Sequence, residues 1–370
     1  MSTHIPETSA TPHEDLGKRK ARHLEICIRE DSYQVETGTT LFDHIHFSHR
    51  AIPEIALEEI DTSTTFFGTP VSMPLLISSM TGGSSGGYSA NKELAKAAQA
   101  CGVPVGMGSI RILFRKPEVA DHFMLKRYAP DVPVIANIGG VQTRELDHAQ
   151  LVEWLKRLEV QALAVHLNPG QELAQLDGDR DFRGVIDAIS RLAEASPVPV
   201  IAKETGFGIG PADARRLVDA GVSGINVAGR GGTNWMAVER YRLDAADEEA
   251  IIREFDTWGI PTALLLASLC RDERITLPII ASGGLRNGMD LAKAVAMGAW
   301  LGGYALPFIR AIDEGGSEAV VRLIERFRGV LRNVMVLTGS RTIQELQTRR
   351  VFTEPVFEAT LTEYLKTQTY

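Results

Sequence analysis

The stretch Ala162-Leu163-Ala164-Val165-His166-Leu167-Asn168-Pro169-Gly170-Gln171-Glu172 joins a short apolar run to a dense polar segment. The apolar run has the length and composition of a buried strand. The segment after it offers an imidazole, two carboxamides and a carboxylate within seven residues. In α/β enzymes such groups collect where a parallel strand ends and its loop begins. The stretch therefore predicts a strand whose carboxyl end carries catalytic or ligand-binding groups.

Seven further apolar runs of this kind occur from Val71 onward, and they alternate with amphipathic segments in the manner of repeated βα units. Eight consecutive units favour an α/β fold closed into a (β/α)8 TIM barrel over an open, doubly wound sheet. The predicted strands are 74–79, 103–107, 132–137, 162–166, 198–203, 224–228, 277–282 and 299–303, and the helices between them include 90–100, 145–158, 212–220 and 290–297.

The rest of the chain is divided around this barrel. Residues 1–17 are too polar to bury much apolar surface and are predicted to be a disordered tail. Residues 18–70 form an N-terminal extension that packs on the barrel and clamps the substrate, 71–345 form the barrel, and 346–370 form a C-terminal tail. A long insertion near 230–260 exceeds an ordinary βα loop, which makes it a candidate lid or oligomer contact.

The amino-acid composition excludes some classes of binding partner. The chain has 370 residues, 44% of them hydrophobic, and a formal net charge of -8, so it lacks the basic field that holds nucleic acid. Its three cysteines are far apart and match neither a zinc site nor a disulfide framework. Because no signal peptide and no apolar run of ~18 residues is present, we expect a cytoplasmic protein, outside the membrane, with a small-molecule partner.

Paired glycines follow four of the predicted strands, for example Gly231-Gly232 and Gly283-Gly284. Glycine pairs let backbone N–H groups approach a ligand closely. The pair after strand seven, with Gly303 and Ala305 after strand eight, lies where such barrels bind phosphate. The alternative is a tight turn that leads into a helix.

Three charged features lie near the predicted strand ends. Lys203 suits the negative edge of a flavin, a Schiff base or a structural ion pair with Glu204. Glu172 is a natural magnesium ligand beside substrate phosphate oxygens, whereas Gln171 cannot titrate and can only orient a substrate. The basic cluster 18–23 is either a solvated helix start or an anion clamp.

Several of these features occur as motifs in a fixed order along the chain. They are Arg19-Lys20 with His23, Ser79-Met80-Thr81-Gly82-Gly83, Asn137-Ile138-Gly139, His166-Leu167-Asn168 with Gln171-Glu172, Gly231-Gly232-Thr233, and Ser282-Gly283-Gly284-Leu285-Arg286. In these motifs the chain resembles the type 2 isopentenyl diphosphate isomerases, from about Arg19 to Phe308. The glycine-rich pieces would fit any FMN barrel, whereas the first motif and the segment 166–172 are specific.

The resemblance implies an FMN-dependent isomerase that interconverts isopentenyl and dimethylallyl diphosphate without net redox change. It also implies magnesium, NADPH or NADH as the reductant of the flavin, and a diphosphate substrate. A homo-oligomer, tetramer or octamer, is expected. The residues implied at the FMN site are Met80, Thr81, Ser109, Asn137, Lys203, Thr233, Gly283, Gly284 and Arg286. Those implied to hold the substrate are Arg19, Lys20, His23, Arg111, His166, Asn168 and Gln171, with the last three as the catalytic set and Glu172 on magnesium.

The chain departs from the family pattern at Ile110, where glutamine is common, and at Asn234, where serine is common. An FMN-dependent hydroxy-acid oxidoreductase on the same barrel is the alternative function, and it would need His166 as a base beside the substrate carbinol. A non-catalytic FMN or diphosphate binder is a third hypothesis, which predicts flavin binding without turnover.

Overall fold

The computed structural model describes residues 16–29, 32–80, 85–243, 246–348 and 351–368. Most of the predicted N-terminal tail, Thr81 and the glycine pair 82–83 therefore lie outside the described residues. In chain order the strands are β1 (Ile45–Phe47), β2 (Thr64–Phe66), β3 (Thr69–Val71), β4 (Leu75–Ile77), β5 (Val105–Ser109), β6 (Val134–Gly139), β7 (Ala162–Leu167), β8 (Val200–Glu204), β9 (Gly224–Asn226), β10 (Ile279–Ser282), β11 (Leu301–Tyr304) and β12 (Val351–Thr353).

The helices alternate with these strands along most of the chain. They are α1 (Leu16–Ile28), α2 (Ser85–Cys101), α3 (His148–Arg157), α4 (Pro169–Ala174), α5 (Val185–Ala195), α6 (Pro211–Asp219), α7 (Trp235–Arg240), α8 (Ala246–Arg253), α9 (Thr262–Cys270), α10 (Gly288–Ala296), α11 (Leu306–Thr338), α12 (Ile343–Thr348) and α13 (Pro355–Lys366). Helix α11 is kinked at Gly315 and Gly316, and Gly316 has φ +63°.

Strands β4 to β11 close into a parallel barrel in which neighbours in sequence are neighbours in space and β11 pairs with β4. This confirms the predicted (β/α)8 barrel, with each strand within a few residues of its predicted position. Strand β7 pairs with β6 and β8 over most of its length, so that His166 is opposite Gly139 on one side and Lys203 on the other. The carboxyl ends of these strands consequently meet at one face.

The barrel interior is filled by apolar side chains from alternate strand positions, including Leu76, Ile135 and Ile201. The antiparallel hairpin β2–β3 packs on this interior cluster, where the Phe66 ring stacks on Trp300 at 5.1 Å between centroids. Trp300 directly precedes β11, so this pair of rings lies at the amino-terminal end of the barrel. The hairpin therefore covers that end and leaves the carboxyl ends of the strands for ligands.

The two ends of the chain pack on the barrel. Helix α1 contacts α2, α7 and α11. Near the C-terminus, β12 pairs with β1, and Glu354 contacts His44 and His46 at 2.8 and 3.0 Å. Helix α13 buries Phe357 and Leu361. The segment predicted as a C-terminal tail thus contains the strand β12 and the helix α13.

The long insertion contains α7 and α8, and α7 packs on α4, the helix that follows β7. It therefore borders the face where the polar strand ends meet. Among the described helices, none combines the length and the apolar character needed to cross a membrane.

Candidate active site

A cavity of about 370 Å³ opens at the carboxyl ends of β4 to β8, and α1 forms part of its wall. This volume lies within the usual range of small-molecule sites, about 300–1,000 Å³. The predicted site residues that line it are Arg19, Lys20, His23, Met80, Ser109, Arg111, Asn137, His166, Asn168, Gln171, Glu172 and Lys203.

The polar segment after β7 is fixed by hydrogen bonds among its own side chains. Pro169 begins α4, and the Asn168 amide donates to Gln171 Oε1 and Glu172 Oε1, both at 3.1 Å. The other oxygen of Glu172 accepts the backbone N–H of Asp179 at 2.9 Å. Each carboxylate oxygen has further acceptor capacity, so Glu172 fits a role as one protein ligand of magnesium beside substrate oxygens.

His166 is held as a neutral imidazole. Its Nδ1 lies 2.7 Å from Asn137 Oδ1, and an amide oxygen can only accept, so Nδ1 carries the proton. Burial, with the positive charges of Lys203, Lys20 and Arg111, lowers the pKa of His166 to about 3. At neutral pH this side chain can bind or orient a ligand, but it has no proton to give as an imidazolium.

Glu239 contacts two residues of the cavity lining, His23 and Gln171, and is absent from the predicted set. It is buried in α7, where Oε1 accepts from Gln171 Nε2 at 3.0 Å and lies 2.9 Å from His23 Nε2. Arg242 donates to its other oxygen. Burial alone would raise the pKa of Glu239, but the contacts with His23, Gln171 and Arg242 outweigh it, so the pKa lies below its usual value.

Glu239 thus joins α1 and α4 to the insertion. No spacing rule in the sequence identifies this residue, because it lies inside an insertion helix rather than at a strand end. The length of the insertion was the available signal, and it indicates only a candidate lid or oligomer contact.

Two lysines in the cavity are shifted toward neutrality. Burial and the charges of Arg19 and Arg111 lower the pKa of Lys20 to about 8. Burial likewise lowers the pKa of Lys203 to about 8, against the opposing charge of Glu204. An anion bound in the cavity would stabilise the charged form of both lysines and so raise their pKa.

The cations of the cavity differ in their protein partners. Arg19 donates to Gln175 Oε1 at 3.0 Å and lies 3.2 Å from Asp177. The side chains of Lys20 and Arg111 make no hydrogen bond or ion pair with any described residue. Arg111 follows Ser109, whose hydroxyl accepts the Arg111 backbone N–H at 3.4 Å.

Lys203 and Glu204 do not form the predicted alternative of a side-chain ion pair. The Glu204 carboxylate accepts the backbone N–H groups of Gly206, Phe207 and Gly208 at 2.5–2.9 Å, which fixes the loop after β8. Lys203 instead extends toward the cavity, with its ammonium donating to the Glu204 carbonyl at 2.6 Å.

Apart from Thr81, which lies outside the described residues, the remaining predicted cofactor residues lie on the other side of the barrel mouth, away from the lining of the cavity. We call this region the glycine half, which comprises the loops 229–233 and 283–286 after β9 and β10 and the carboxyl end of β11 with Ala305, so that Gly303, predicted to follow its strand, lies within it. The region around the cavity, with α1, α4 and the ends of β5 to β8, is the side-chain half. The glycine half contains Thr233, Gly283, Gly284, Arg286, Gly303 and Ala305.

Backbone packing dominates the glycine half. Gly283 and Gly284 have φ of +94° and +82°, and a Cβ at Gly284 would lie 2.3 Å from the Gly231 carbonyl oxygen. Arg286 Nε donates to Glu36 at 2.7 Å, and Arg310 contacts the same carboxylate at 3.2 Å. The structure therefore pairs Arg286 with a carboxylate of the N-terminal extension.

The two departures from the family pattern have physical explanations. Ile110 is fully buried in the core and does not line the cavity. Asn234 caps α7, because its Oδ1 accepts the backbone N–H groups of Met236 and Ala237 at 2.9 and 3.1 Å. Asparagine and serine are both good N-caps, so this exchange preserves the start of the helix that carries Glu239.

Further lining residues are absent from the predicted set, among them Arg115, Gln142 and Thr205. Gln142 donates to Asp179 at 3.0 Å, which ties the loop after β6 to the loop after α4. The Thr205 hydroxyl is buried and has no hydrogen-bond partner among the described residues. These residues follow strands in sequence, but nothing in their local pattern separates them from ordinary loop residues.

The side-chain half fits the polar edge of a flavin ring. Such a ring needs a donor or positive charge where its own negative charge develops, and Lys203 supplies one at the cavity wall. Thr205 and Asn137 add uncommitted hydrogen-bonding capacity at neighbouring strand ends. The glycine half has the backbone composition that a phosphate group requires.

Comparison with known proteins agrees with this arrangement. The family model described as FMN-dependent dehydrogenase matches residues 26–122 and 140–353. The solved structures of similar fold include a lactate oxidase of Pediococcus acidilactici, with a TM-score of 0.60 and 20% identity over 91% of this chain and 94% of that one. A mandelate oxidase variant gives a TM-score of 0.61 and 18% identity over 90% and 99% of the two chains. At such identities these structures support the fold alone.

These findings define the class of the protein as a (β/α)8 barrel that matches the FMN-dependent dehydrogenase family model. The curated relatives identify a narrower family within this class. An isopentenyl-diphosphate delta-isomerase of Borrelia garinii subsp. bavariensis is 41% identical over 338 residues, which cover 91% of this chain and 94% of that protein. The isomerase of the same name from Nostoc sp. is 43% identical over 331 residues, 89% and 93% of the two chains. The chain belongs to the isopentenyl-diphosphate delta-isomerase family.

Proposed function

We propose that this protein is a type 2 enzyme that interconverts isopentenyl diphosphate and dimethylallyl diphosphate. The observation that carries the proposal is the convergence of Lys20 and Arg111, two cations without a partner among the described residues, on the cavity that also presents Glu172. Buried or half-buried cations without a counter-charge are unfavourable unless an anion binds. A diphosphate with a magnesium ion satisfies both the cations and the carboxylate.

In this proposal Lys20 and Arg111 bind the diphosphate oxygens, and Arg19 joins them by exchanging Asp177 for phosphate. Glu172 binds Mg²⁺ together with oxygens of the substrate. His23 packs edge-on against Trp235 and contacts Glu239, so it closes the wall that α1 contributes. These contacts fix the diphosphate and leave the alkene end toward Asn168 and Gln171.

Gln171 is the residue proposed to lie next to the reacting carbons. Its amide is held from two sides, by Asn168 and by Glu239, so its orientation is fixed. An amide carries a dipole but no titratable proton, which suits it to stabilise positive charge on the alkene carbons. His166 orients substrate as a neutral imidazole.

Reduced FMN, when bound, would supply the acid–base chemistry at the two carbons, with no net redox change. Lys203, Asn137, Ser109 and Met80 would hold its ring, and Thr81 is proposed from the same motif. Thr233, Gly283, Gly284, Arg286, Gly303 and Ala305 would hold its ribityl and phosphate groups. NADPH as reductant, a cytoplasmic location and assembly into a tetramer or octamer are parts of the same proposal.

The alternative, hydroxy-acid oxidation, needs a general base whose pKa lies near the working pH. His166 is the strand-end histidine that such a reaction would use, and a pKa of about 3 makes it a weak base. The names of the curated relatives also favour the isomerase.

The direct test is anaerobic incubation of the FMN-loaded protein with NADPH, Mg²⁺ and isopentenyl diphosphate. We expect dimethylallyl diphosphate, detected by NMR, and no product when the flavin is oxidised. NADPH should be consumed only once per flavin, because the reaction has no net redox change. Absence of the isomer with reduced flavin present would contradict the proposal, and oxidation of a hydroxy acid would favour the alternative.

A further inference from the structure

Arg115 lies at the mouth of the cavity, on the same short turn as Arg111. This turn is a 3-10 helix (Ile110–Phe114) that directly follows β5, and Arg115 ends it by donating its backbone N–H to the Ile112 carbonyl at 3.1 Å. Both arginines line the cavity, but Arg111 is half-buried whereas Arg115 is exposed. The turn therefore presents two guanidinium groups at two depths.

The Arg115 guanidinium makes no hydrogen bond or ion pair within the described part of the chain. Arg127, by contrast, is paired with Asp121 at 3.1 Å. The neighbouring Lys116 is also exposed but does not line the cavity. The two adjacent cations thus differ in their access to the site.

The charge around Arg115 also favours an anionic ligand. The lining residues Arg19, Lys20, Arg111, Arg115 and Lys203 are basic, and Glu172, Asp177 and Asp179 are acidic. Asp177 is occupied by Arg19, and Glu172 and Asp179 accept internal hydrogen bonds. On a chain with a formal net charge of -8, the mouth of the cavity is a local region of positive charge. Such a region attracts anions and raises their rate of capture.

We propose that Arg115 is a substrate-binding residue that contacts the outer phosphate of the diphosphate at the mouth of the cavity. This inference rests on the proposed function and extends it to a residue that the sequence motifs do not include. A diphosphate spans two phosphate groups, so cations at two depths can each contact one of them. Arginine suits the outer position because its planar fork binds phosphate oxygens in pairs.

The role of Arg115 is confined to binding. It is more exposed than Arg111 and follows the end of β5 by six residues, whereas the alkene is proposed to react beside Gln171. An interaction made equally in the bound substrate and in the transition state changes KM and leaves kcat unaltered. Because the group is exposed, the interaction weakens as ionic strength rises.

The test compares Arg115→Gln with Lys116→Gln in the FMN-loaded protein. Binding of inorganic pyrophosphate with Mg²⁺ is measured by calorimetry, and kcat and KM for isopentenyl diphosphate are measured at low and high salt. We expect Arg115→Gln to raise the Kd for pyrophosphate and the KM about three- to tenfold at low salt, with a smaller effect at high salt. The kcat should stay within about twofold, and Arg115→Lys should recover part of the affinity.

Lys116→Gln is the matched control, since it removes the same charge one residue away and should leave Kd and KM within about twofold. Equal effects of the two variants, or a fall in kcat for Arg115→Gln, would overturn the proposal. Failure of the proposed function is distinguishable, because the wild-type protein would then yield no dimethylallyl diphosphate although the pyrophosphate comparison still tests Arg115.

Discussion

The two halves of the barrel mouth are built on different principles. In the side-chain half, polar side chains project from the strand ends and hold one another by hydrogen bonds such as Gln171 to Glu239. In the glycine half, the loops after β9 and β10 lie so close together that a Cβ at Gly284 would meet the backbone of Gly231. Substitutions in the side-chain half should change the rate of catalysis, whereas substitutions in the glycine half should change stability and cofactor binding.

This difference follows from how each half gains its rigidity. Glu239 is buried with three polar partners, so the side-chain half is a network whose members are interdependent. The glycine half instead relies on φ of +94° at Gly283 and +82° at Gly284, a backbone conformation that residues with a side chain rarely adopt. Substitutions on the two sides therefore test the distinction directly.

The largest expected effect comes from Gln171→Asn. The shorter amide can no longer bridge Asn168 and Glu239, so the group beside the reacting carbons loses its orientation. We expect kcat to fall about 10²- to 10³-fold, while FMN content and thermal stability change little. The matched control is Gln99→Asn, on the surface beside Asp131, which should leave kcat unchanged. Unaltered turnover in Gln171→Asn would contradict the role assigned to Gln171.

The next effect concerns Lys203 at the flavin edge of the cavity. Lys203→Met should weaken FMN binding by about 10- to 100-fold, since a charged hydrogen bond in a buried site is lost. Wild-type affinity should also fall as pH rises through about 8, where the ligand-free protein loses the charge on Lys203. Fluorescence titration of the apoprotein measures both quantities.

The exposed Lys156→Met is the control for this experiment, because Lys156 pairs with Glu153 on the surface and does not line the cavity. It should bind FMN like the wild type and show the same pH dependence. A Lys203→Met protein that retains full FMN affinity would place the flavin edge elsewhere in the cavity.

The barrel was predictable because its signals are local and repeated. Each strand is an apolar run such as 162–165 followed by a polar end, and eight such units leave few other folds. The position of Asn168, Gln171 and Glu172 in the lining of the cavity was predictable, because these residues directly follow a strand and parallel strands bring their ends together. Such reasoning needs only sequence order.

Contacts between distant segments were not predictable. Glu239 meets Gln171 across an insertion, and Arg286 meets Glu36 across 250 positions. No periodicity encodes such pairs, because they depend on how α7 and the N-terminal extension pack. The pairing of β12 with β1 is also a contact between distant segments. Because the short strand β12 forms through this pairing, its own sequence has no local pattern that predicts it.

Replacing one glycine in each half by alanine compares how strongly the two halves affect the stability of the protein. Gly284→Ala would require positive φ and would place a Cβ against the backbone of Gly231, so we expect a loss of about 1–3 kcal/mol in the free energy of unfolding. At Gly139, whose φ is not positive, a Cβ would meet a side chain instead of backbone, and Gln142 could move aside by giving up its hydrogen bond to Asp179. Gly139→Ala should therefore cost less stability. Urea unfolding of both variants gives the comparison, and equal losses would refute the distinction between the halves.

The smallest effect is a pH dependence that belongs to the side-chain half. Because the pKa of Lys20 is lowered to about 8, the ligand-free protein loses this charge as pH rises through 8, and pyrophosphate affinity should fall about tenfold between pH 7 and 9. The unfolded chain binds more protons than the folded one in this interval, so the stability of the ligand-free protein should rise as affinity falls. Lys20→Arg stays charged and should bind pyrophosphate with little change across the same interval. If affinity in the wild type and in Lys20→Arg declined in parallel, a group other than Lys20 would be responsible.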